Sequence, residues 1–303
     1  ATGTLTNQGP QARAFERELT ERLGVTTCVV SNGTSALVGA LHAIGARGTA
    51  VLPSFTFAAT RNAAALCGLR VCYCDIDPTT WTLDAEALQV VLREVDDVGV
   101  ILPVTAYGVT PDLDAIVDVA GDIPVVLDDA HGFGASRNGL EIHPGLAATT
   151  MSFHATKVLP AAEGGAIAFR DPEAADALVT IRNHGLSGHA PFDARLGDNL
   201  KLSELHAAVG RASLAAFERD QGLRKANMAR LRARAGAGLQ VQHIPENVET
   251  NAQNFAVLVR GTGDAATRSA IATLKAAGVS TRRYFWPALH RTAVAHDDTA
   301  GAL

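Results

Sequence analysis

Short apolar runs alternate along the chain with longer stretches in which apolar residues recur at helical spacing. The runs are Thr27 to Val30, Ala50 to Leu52, Leu69 to Cys74, Val98 to Leu102, Pro124 to Leu127 and Thr149 to Phe153. Rich in Val, Ile and Leu, they read as buried strands. The stretches between them read as helices: Thr34 to Ile44, Ala58 to Cys67, Ala85 to Arg93, Leu113 to Ala120 and Pro172 to Asn183, with Pro172 suited to a first turn. Strand and helix in alternation predict an α/β fold around a largely parallel sheet, with helices on its faces.

From Ser203 to about Arg234 the chain is rich in Ala, Leu and Arg and broken only by Gly210 and Gly222, which predicts one or two long helices linking two domains. Beyond Gly236 the order becomes strand near Asn254 to Val259, helix near Ala265 to Ala277, and strand around Val279 to Tyr284. We therefore expect a large domain over 1–235, linking helices included, and a small α+β domain over 236–303. Because Ala1 is not a methionine, we also expect residues upstream of it.

Composition narrows the function. A chain of 303 residues, 47% of them hydrophobic, buries a full core. A net charge of -5 argues against a nucleic-acid or anionic-membrane surface and points to a small-molecule substrate. No apolar run approaches the roughly 20 residues that span a bilayer. The four cysteines, Cys28, Cys67, Cys72 and Cys74, lie in or beside apolar segments without CxxC spacing. They read as buried, reduced thiols of a cytoplasmic protein with no metal site, and Cys72 and Cys74 share one face of a strand.

In open parallel sheets, ligands gather outside the carboxyl ends of the strands. Here those ends carry Ser31-Asn32-Gly33-Thr34-Ser35, Pro53-Ser54, Asp128-Asp129 and His154-Ala155-Thr156-Lys157, so a carboxylate and a lysine converge on one rim. Between a strand and a helix, the amides of Gly33, Thr34 and Ser35 suit a phosphate, or a plain helix cap. No GxxxxGK[ST], GxGxxG or GxSxG directs that phosphate to ATP or NAD or marks a serine nucleophile. Lysine is scarce, only Lys157, Lys201, Lys225 and Lys275 against many arginines. A lysine at the end of an apolar strand in such a chain suggests a need for a deprotonatable amine that arginine cannot supply.

Several ordered blocks then resemble one family. They are Gly3 to Pro10 (GTLTNQGP), Ser31 to Leu37 (SNGTSAL), Pro53 to Thr60 (PSFTFAAT), Asp128 to Ala135 (DDAHGFGA), Ser152 to Gly165 (SFHATKVLPAAEGG), Arg182 to Gly185 (RNHG) and Gly197 to Ala208 (GDNLKLSELHAA). Together they are similar to the DegT/StrS family of sugar aminotransferases, which have the fold-type I architecture of aspartate aminotransferase. The resemblance implies pyridoxal 5'-phosphate as cofactor, with Lys157 as the lysine that holds it as a Schiff base and shuttles the proton. Asp128 is implied to keep the pyridine nitrogen protonated. Asp129 competes for that role, but the family's polar ring partner follows its aspartate by three residues, a spacing that His131 meets only from Asp128. His131, often glutamine in the family, would bond the phenolic oxygen. Phe57 would stack on the ring, and Ser152, Gly33, Thr34 and Ser35 would hold the phosphate together with Asn199 from the partner subunit of a homodimer. Lys201 stands where the family commonly has arginine. His184, Tyr284 and Phe285 fall in blocks that line the substrate site of relatives, and relatives continue past the position of Leu303, so we expect further residues there.

The activity so implied is amino transfer from an amino acid, glutamate above all, to a nucleotide-linked, dTDP-type 4-keto-6-deoxyhexose. Ser-Phe-His-Ala-Thr-Lys resembles relatives acting at carbon 4 more than those acting at carbon 3. Two alternatives stand beside it: a carbon-3 aminotransferase, and a sugar-nucleotide-binding or regulatory protein on the same fold. A related sugar dehydratase has histidine in place of the lysine, so Lys157 argues against that chemistry.

Overall fold

The computed structural model describes Gly3, Leu5 and residues 8–186, 197–260 and 263–292. Thr4, Thr6 and Asn7 of the first sequence block lie outside the described residues.

Over residues 10–181 the predicted strands and helices form, joined by α1, β6 and β8: α1 (Pro10–Leu23), β1 (Thr26–Val30), α2 (Gly33–Ala43), β2 (Thr49–Pro53), α3 (Ala58–Leu66), β3 (Arg70–Cys74), α4 (Ala85–Glu94), β4 (Val98–Ile101), α5 (Leu113–Ala120), β5 (Val126–Asp128), β6 (Ser136–Arg137), β7 (Ala148–Ser152), β8 (Gly165–Phe169) and α6 (Pro172–Ile181). Strands β3, β2 and β4 are parallel, and parallel bridges Ile101 to Val125 and Val104 to Asp128 carry the sheet on to β5. β5 runs parallel to β7, while β8 lies antiparallel between β7 and β1. The order is thus β3-β2-β4-β5-β7-β8-β1, with β8 reversed, and the carboxyl ends of β1, β2, β4, β5 and β7 share one rim.

Alternation along each strand feeds two core layers, one on each face of the sheet. In β2, Ala50 and Leu52 join the layer of α2, α3 and α6, while Val51 faces α4 and α5. In β3, Cys72 and Cys74 share the α4–α5 face and Tyr73 takes the other. Burial pushes the Cys74 thiol up to about 12, so the pair packs as small apolar groups. Cys67 is half-buried rather than buried.

Besides the two-residue β6, two elements escape the apolar pattern, α1 and β8. α1 starts at Pro10 and ends on Gly24, a left-handed residue whose N–H bonds the Thr20 carbonyl. Its unpaired first N–H groups, at Gln11 and Ala12, donate to the buried Glu204 carboxylate at 2.8 and 2.9 Å. β8 is a continuous buried run that follows β7 through a loop ending in Gly164, without the helix that would signal a parallel strand.

The long segment is one helix, α7 (Glu204–Arg234), capped by Ser203 and uninterrupted at Gly210 and Gly222. After it come β9 (Leu239–Val241), β10 (Val248–Glu249), β11 (Val257–Val259), α8 (Gly263–Ala276) and a short 3-10 turn at Leu289–Arg291. β11 pairs with β9, and β10 returns to pair with β6. The strand expected around Val279 to Tyr284 does not form. Its side chains are committed elsewhere: Arg283 pairs with Asp264 of α8 and lies 3.6 Å from the Trp286 ring centre, and Val279 is exposed. Among the described residues no helix is long and apolar enough to cross a membrane.

Candidate active site

The rim is assembled from strand ends. At the end of β1, the Asn32 side chain caps α2 by accepting the Ser35 N–H at 2.8 Å, and the Ser31 hydroxyl donates to Ser35 Oγ at 2.9 Å. The N–H groups of Gly33 and Thr34 belong to the first turn, which has no carbonyl behind it within the helix, and the helix dipole adds positive potential there. A side chain at Gly33 would place its Cβ 2.8 Å from Ser152 Cβ. Glycine therefore lets the start of α2 abut the end of β7, so that free amides and the Ser152 hydroxyl share one oxyanion-sized corner.

At the end of β5, Asp128 is 4% exposed. It accepts a hydrogen bond from the Thr60 hydroxyl at 2.7 Å and from the Ala130 N–H at 3.2 Å. Burial raises its pKa, against the opposing effects of these two donors and of Lys157. A buried carboxylate in that condition gains from a cation placed against it. Asp129 does not border the cavity. It takes the Thr105 hydroxyl instead, and burial pushes it up to about 8.

His131 follows in the loop after β5. Its ring stacks on Tyr107 with centres 5.7 Å apart and meets the edge of Tyr284 at 6.3 Å. Burial first, and the Lys157 charge second, hold its pKa down to about 3, so the imidazole is neutral with one N–H to donate.

Lys157 sits in a tight turn beyond β7, its N–H bonded to the His154 carbonyl at 2.9 Å. Gln253 grips the turn on both sides, donating to the Thr156 carbonyl and accepting the Val158 N–H, each at 3.1 Å. Burial lowers the pKa of the amine, Asp128 raises it and Arg282 lowers it. The result is an amine readier to lose its proton than a surface lysine.

These groups border one cavity of ≈ 1010 Å³, into which Gly33, Thr34, Ser35, Phe57, Asp128, His131, Ser152 and Lys157 all face, together with Tyr284 and Phe285. Phe57, at the N-cap of α3, is 57% exposed. Asn199 and His184 do not border it. Both are exposed, on neighbouring segments joined by a bridge between Asn183 and Asn199. Lys201 also lies off the cavity, with its amine buried and burial lowering its pKa.

Four contributors were not legible as site residues. Thr60 fixes Asp128, Tyr107 backs His131, Asn251 donates to the His131 and Phe133 carbonyls at 2.9 and 3.0 Å, and Gln253 clamps the lysine turn. The one available signal was the amide-rich run Thr250 to Asn254, since buried Asn and Gln need backbone partners.

The sequence profile of the DegT/DnrJ/EryC1/StrS aminotransferase family matches residues 1–302. The chain belongs to this family. Among its relatives, a dTDP-4-amino-4,6-dideoxy-D-glucose transaminase of Shigella dysenteriae is 31% identical over 290 residues, spanning 94% of this chain and 78% of the relative. A UDP-2-acetamido-2-deoxy-3-oxo-D-glucuronate aminotransferase of Pseudomonas aeruginosa is 33% identical over 302 residues, spanning 96% and 81%. The crystal structure of DesI in the presence of its TDP-sugar product superposes with a TM-score of 0.89 at 30% identity, covering 99% of this chain and 77% of that one. As a DegT/DnrJ/EryC1/StrS aminotransferase of fold type I, the chain uses pyridoxal phosphate. The residues present fit that group: a corner of free amides for a phosphate, a buried carboxylate that gains from a cation, and a lysine of lowered pKa border one cavity.

Proposed function

We propose that this aminotransferase moves the amino group of an amino acid, glutamate in the first instance, to carbon 4 of a nucleotide-linked 4-keto-6-deoxyhexose, and that it works in the cytoplasm as a homodimer. The observation that carries the reading is the meeting of Asp128, Lys157 and the start of α2 in one cavity large enough to take a sugar nucleotide's reacting end. A relative named for a dTDP-linked 4-amino sugar and a structure holding a TDP-sugar support the substrate class. A second reading, transfer at carbon 3, draws support from the Pseudomonas relative, whose name carries a 3-oxo sugar.

Pyridoxal phosphate supplies an electron sink for the charge left when a substrate carbon gives up its proton. The chain supplies everything that directs it. Lys157 would anchor the cofactor through Nζ, and the same amine would take up and return the proton that the substrate carbon gives up. Asp128 holds a proton on the pyridine nitrogen, and the positive charge there offsets the penalty of its own burial. The neutral His131 donates its N–H to the phenolic oxygen. Gly33, Thr34, Ser35 and Ser152 hold the phosphate, and Asn199 of the partner subunit completes that cup from the second chain. Phe57 covers the ring face, while Tyr284 and Phe285 wall the substrate side. His184, on the segment bridged to that of Asn199 and likewise off this chain's cavity, would reach the second chain's substrate from that same edge.

The test is a screen of the holoenzyme with glutamate and a panel of nucleotide-linked 3-keto and 4-keto sugars, with product positions read by NMR. A 4-amino product is expected. A 3-amino product would transfer the assignment to the second reading, and turnover of no nucleotide-linked keto-sugar would remove both.

A further inference from the structure

Apart from Lys157, one lysine or arginine borders the cavity among the described residues: Arg282. Its neighbour Arg283 is consumed by the fold, paired with Asp264 and laid 3.6 Å from the centre of the Trp286 ring. Arg282 is held differently. Its guanidinium carbon stands 5.2 Å from the centre of the Tyr284 ring, and among the described residues no carboxylate pairs with it and no side-chain hydrogen bond engages it. A ring face orients a guanidinium without occupying its N–H groups, so all of its in-plane donors stay available to a ligand.

The same Tyr284 ring meets His131 at 6.3 Å, so the arginine is carried by the aromatic wall beside the reacting groups rather than by a distant loop. A permanent, planar cation in this position is matched to a carboxylate or a phosphate oxyanion, both of which accept two parallel N–H bonds. The proposed function brings two anions into this cavity in turn, a dicarboxylic donor and a diphosphate-linked acceptor. The carboxylates that border the same cavity, Asp128, Glu163 and Asp198, repel both.

We propose that Arg282 is a substrate-recognition residue that binds an oxyanion of the substrates, the donor's carboxylate or the acceptor's diphosphate, and so selects anionic over neutral partners. This rests on the substrate classes in the proposed function. It adds no bond-making step: Arg282 is charged throughout and neither gives nor takes a proton.

The probes are glutarate, a dicarboxylate without an amine, and thymidine diphosphate, titrated calorimetrically into the holoenzyme and into Arg282→Ala and Arg282→Lys. Loss of a charge-assisted contact should weaken the affected probe by about 10- to 100-fold in Arg282→Ala. Arg282→Lys should fall between, since an ammonium keeps the charge and loses the two-pronged geometry. Weakening of glutarate alone assigns the contact to the donor's carboxylate; weakening of thymidine diphosphate alone assigns it to the diphosphate; weakening of both makes Arg282 an anchor shared by the two half-reactions. Unchanged affinity for both probes in Arg282→Ala, with the native holoenzyme binding either one, would overturn the role of Arg282 and leave the proposed function standing. A native holoenzyme that binds neither probe would overturn the substrate classes and this inference together.

Discussion

The strand-end rim and the segment from Arg282 to Phe285 border the same cavity but are held in place by different means. On the rim, Asp128 closes a strand whose preceding residues, Val126 and Leu127, are buried, and its carboxylate is pinned by Thr60 and Ala130. The Lys157 turn is clamped by Gln253 on either side. The wall from Arg282 to Phe285 belongs to no ladder and rests on ring contacts, Phe285 with Phe55 at 5.1 Å and with Tyr107 at 5.9 Å, leaving Arg282 exposed. Groups that move protons need placement to a fraction of an ångström, and hydrogen-bonded strand ends give it. A wall of rings carried on a connecting segment adapts to different substrates on a fixed chemical scaffold.

The largest effect that comparison predicts is on the rim. Lys157→Ala should lower amino transfer by at least about 10⁴-fold, because the anchor and the proton carrier are lost together. Borohydride treatment followed by mass spectrometry should find the cofactor attached at Lys157 in the native chain and nowhere in the variant. Attachment at Lys201, the other lysine of lowered pKa, would break the assignment.

Next comes the wall from Arg282 to Phe285. Phe285 is 9% exposed at the centre of the ring contacts, so Phe285→Ala should cost about 3 kcal/mol of stability, read by urea unfolding. In the folded fraction, the visible absorption of the bound cofactor should persist while KM for the acceptor rises. If the cofactor spectrum is lost and KM holds, the two walls are not independent. Back on the rim, Gly33→Ala should weaken pyridoxal phosphate binding by roughly 10-fold, since even a helix-cap contact is worth about 1 kcal/mol and here the new Cβ meets Ser152 at 2.8 Å. An unchanged dissociation constant would show that α2 and β7 can part without disturbing the phosphate corner.

The two walls also differ in how far they could be read from sequence. The parallel strands stood out because burial on both faces leaves near-continuous apolar runs, and their polar ends followed from the rule that ligands gather there. Lys157 and Asp128 were therefore legible from position, although only the family resemblance separated Asp128 from Asp129. α1 was not legible, because its buried side is only Ala12, Ala14, Phe15 and Leu19, and its N-terminus is satisfied by Glu204 from almost two hundred residues away. β8 hid for a topological reason: an antiparallel strand slipped between two parallel ones carries no crossover helix to announce it. Thr60, Tyr107, Asn251 and Gln253 act through contacts distant in sequence, which no local pattern encodes. The expected strand at Val279 to Tyr284 failed because β propensity without a neighbouring strand to pair with leaves the chain to its side-chain contacts.

A further effect separates two adjacent carboxylates. Asp128 faces the cavity, where a cationic partner offsets its burial, whereas Asp129 has only the Thr105 hydroxyl and is pushed up to about 8. Between the ordinary aspartate range and that value the folded chain keeps the Asp129 proton and the unfolded chain has lost it. The folded state then binds more protons, so stability must fall as pH rises across this window and level off above it. The slope should be on the order of 1 kcal/mol per pH unit, and Asp129→Asn should remove most of it while still accepting the Thr105 bond. Urea unfolding of the cofactor-free protein at pH 5 and pH 8 measures the difference directly. The variant should gain on the native chain at the higher pH, because an amide carries no charge to bury; two parallel pH dependences would mean that Asp129 ionises as freely folded as unfolded, and that the core behind the rim is wetter than its packing implies.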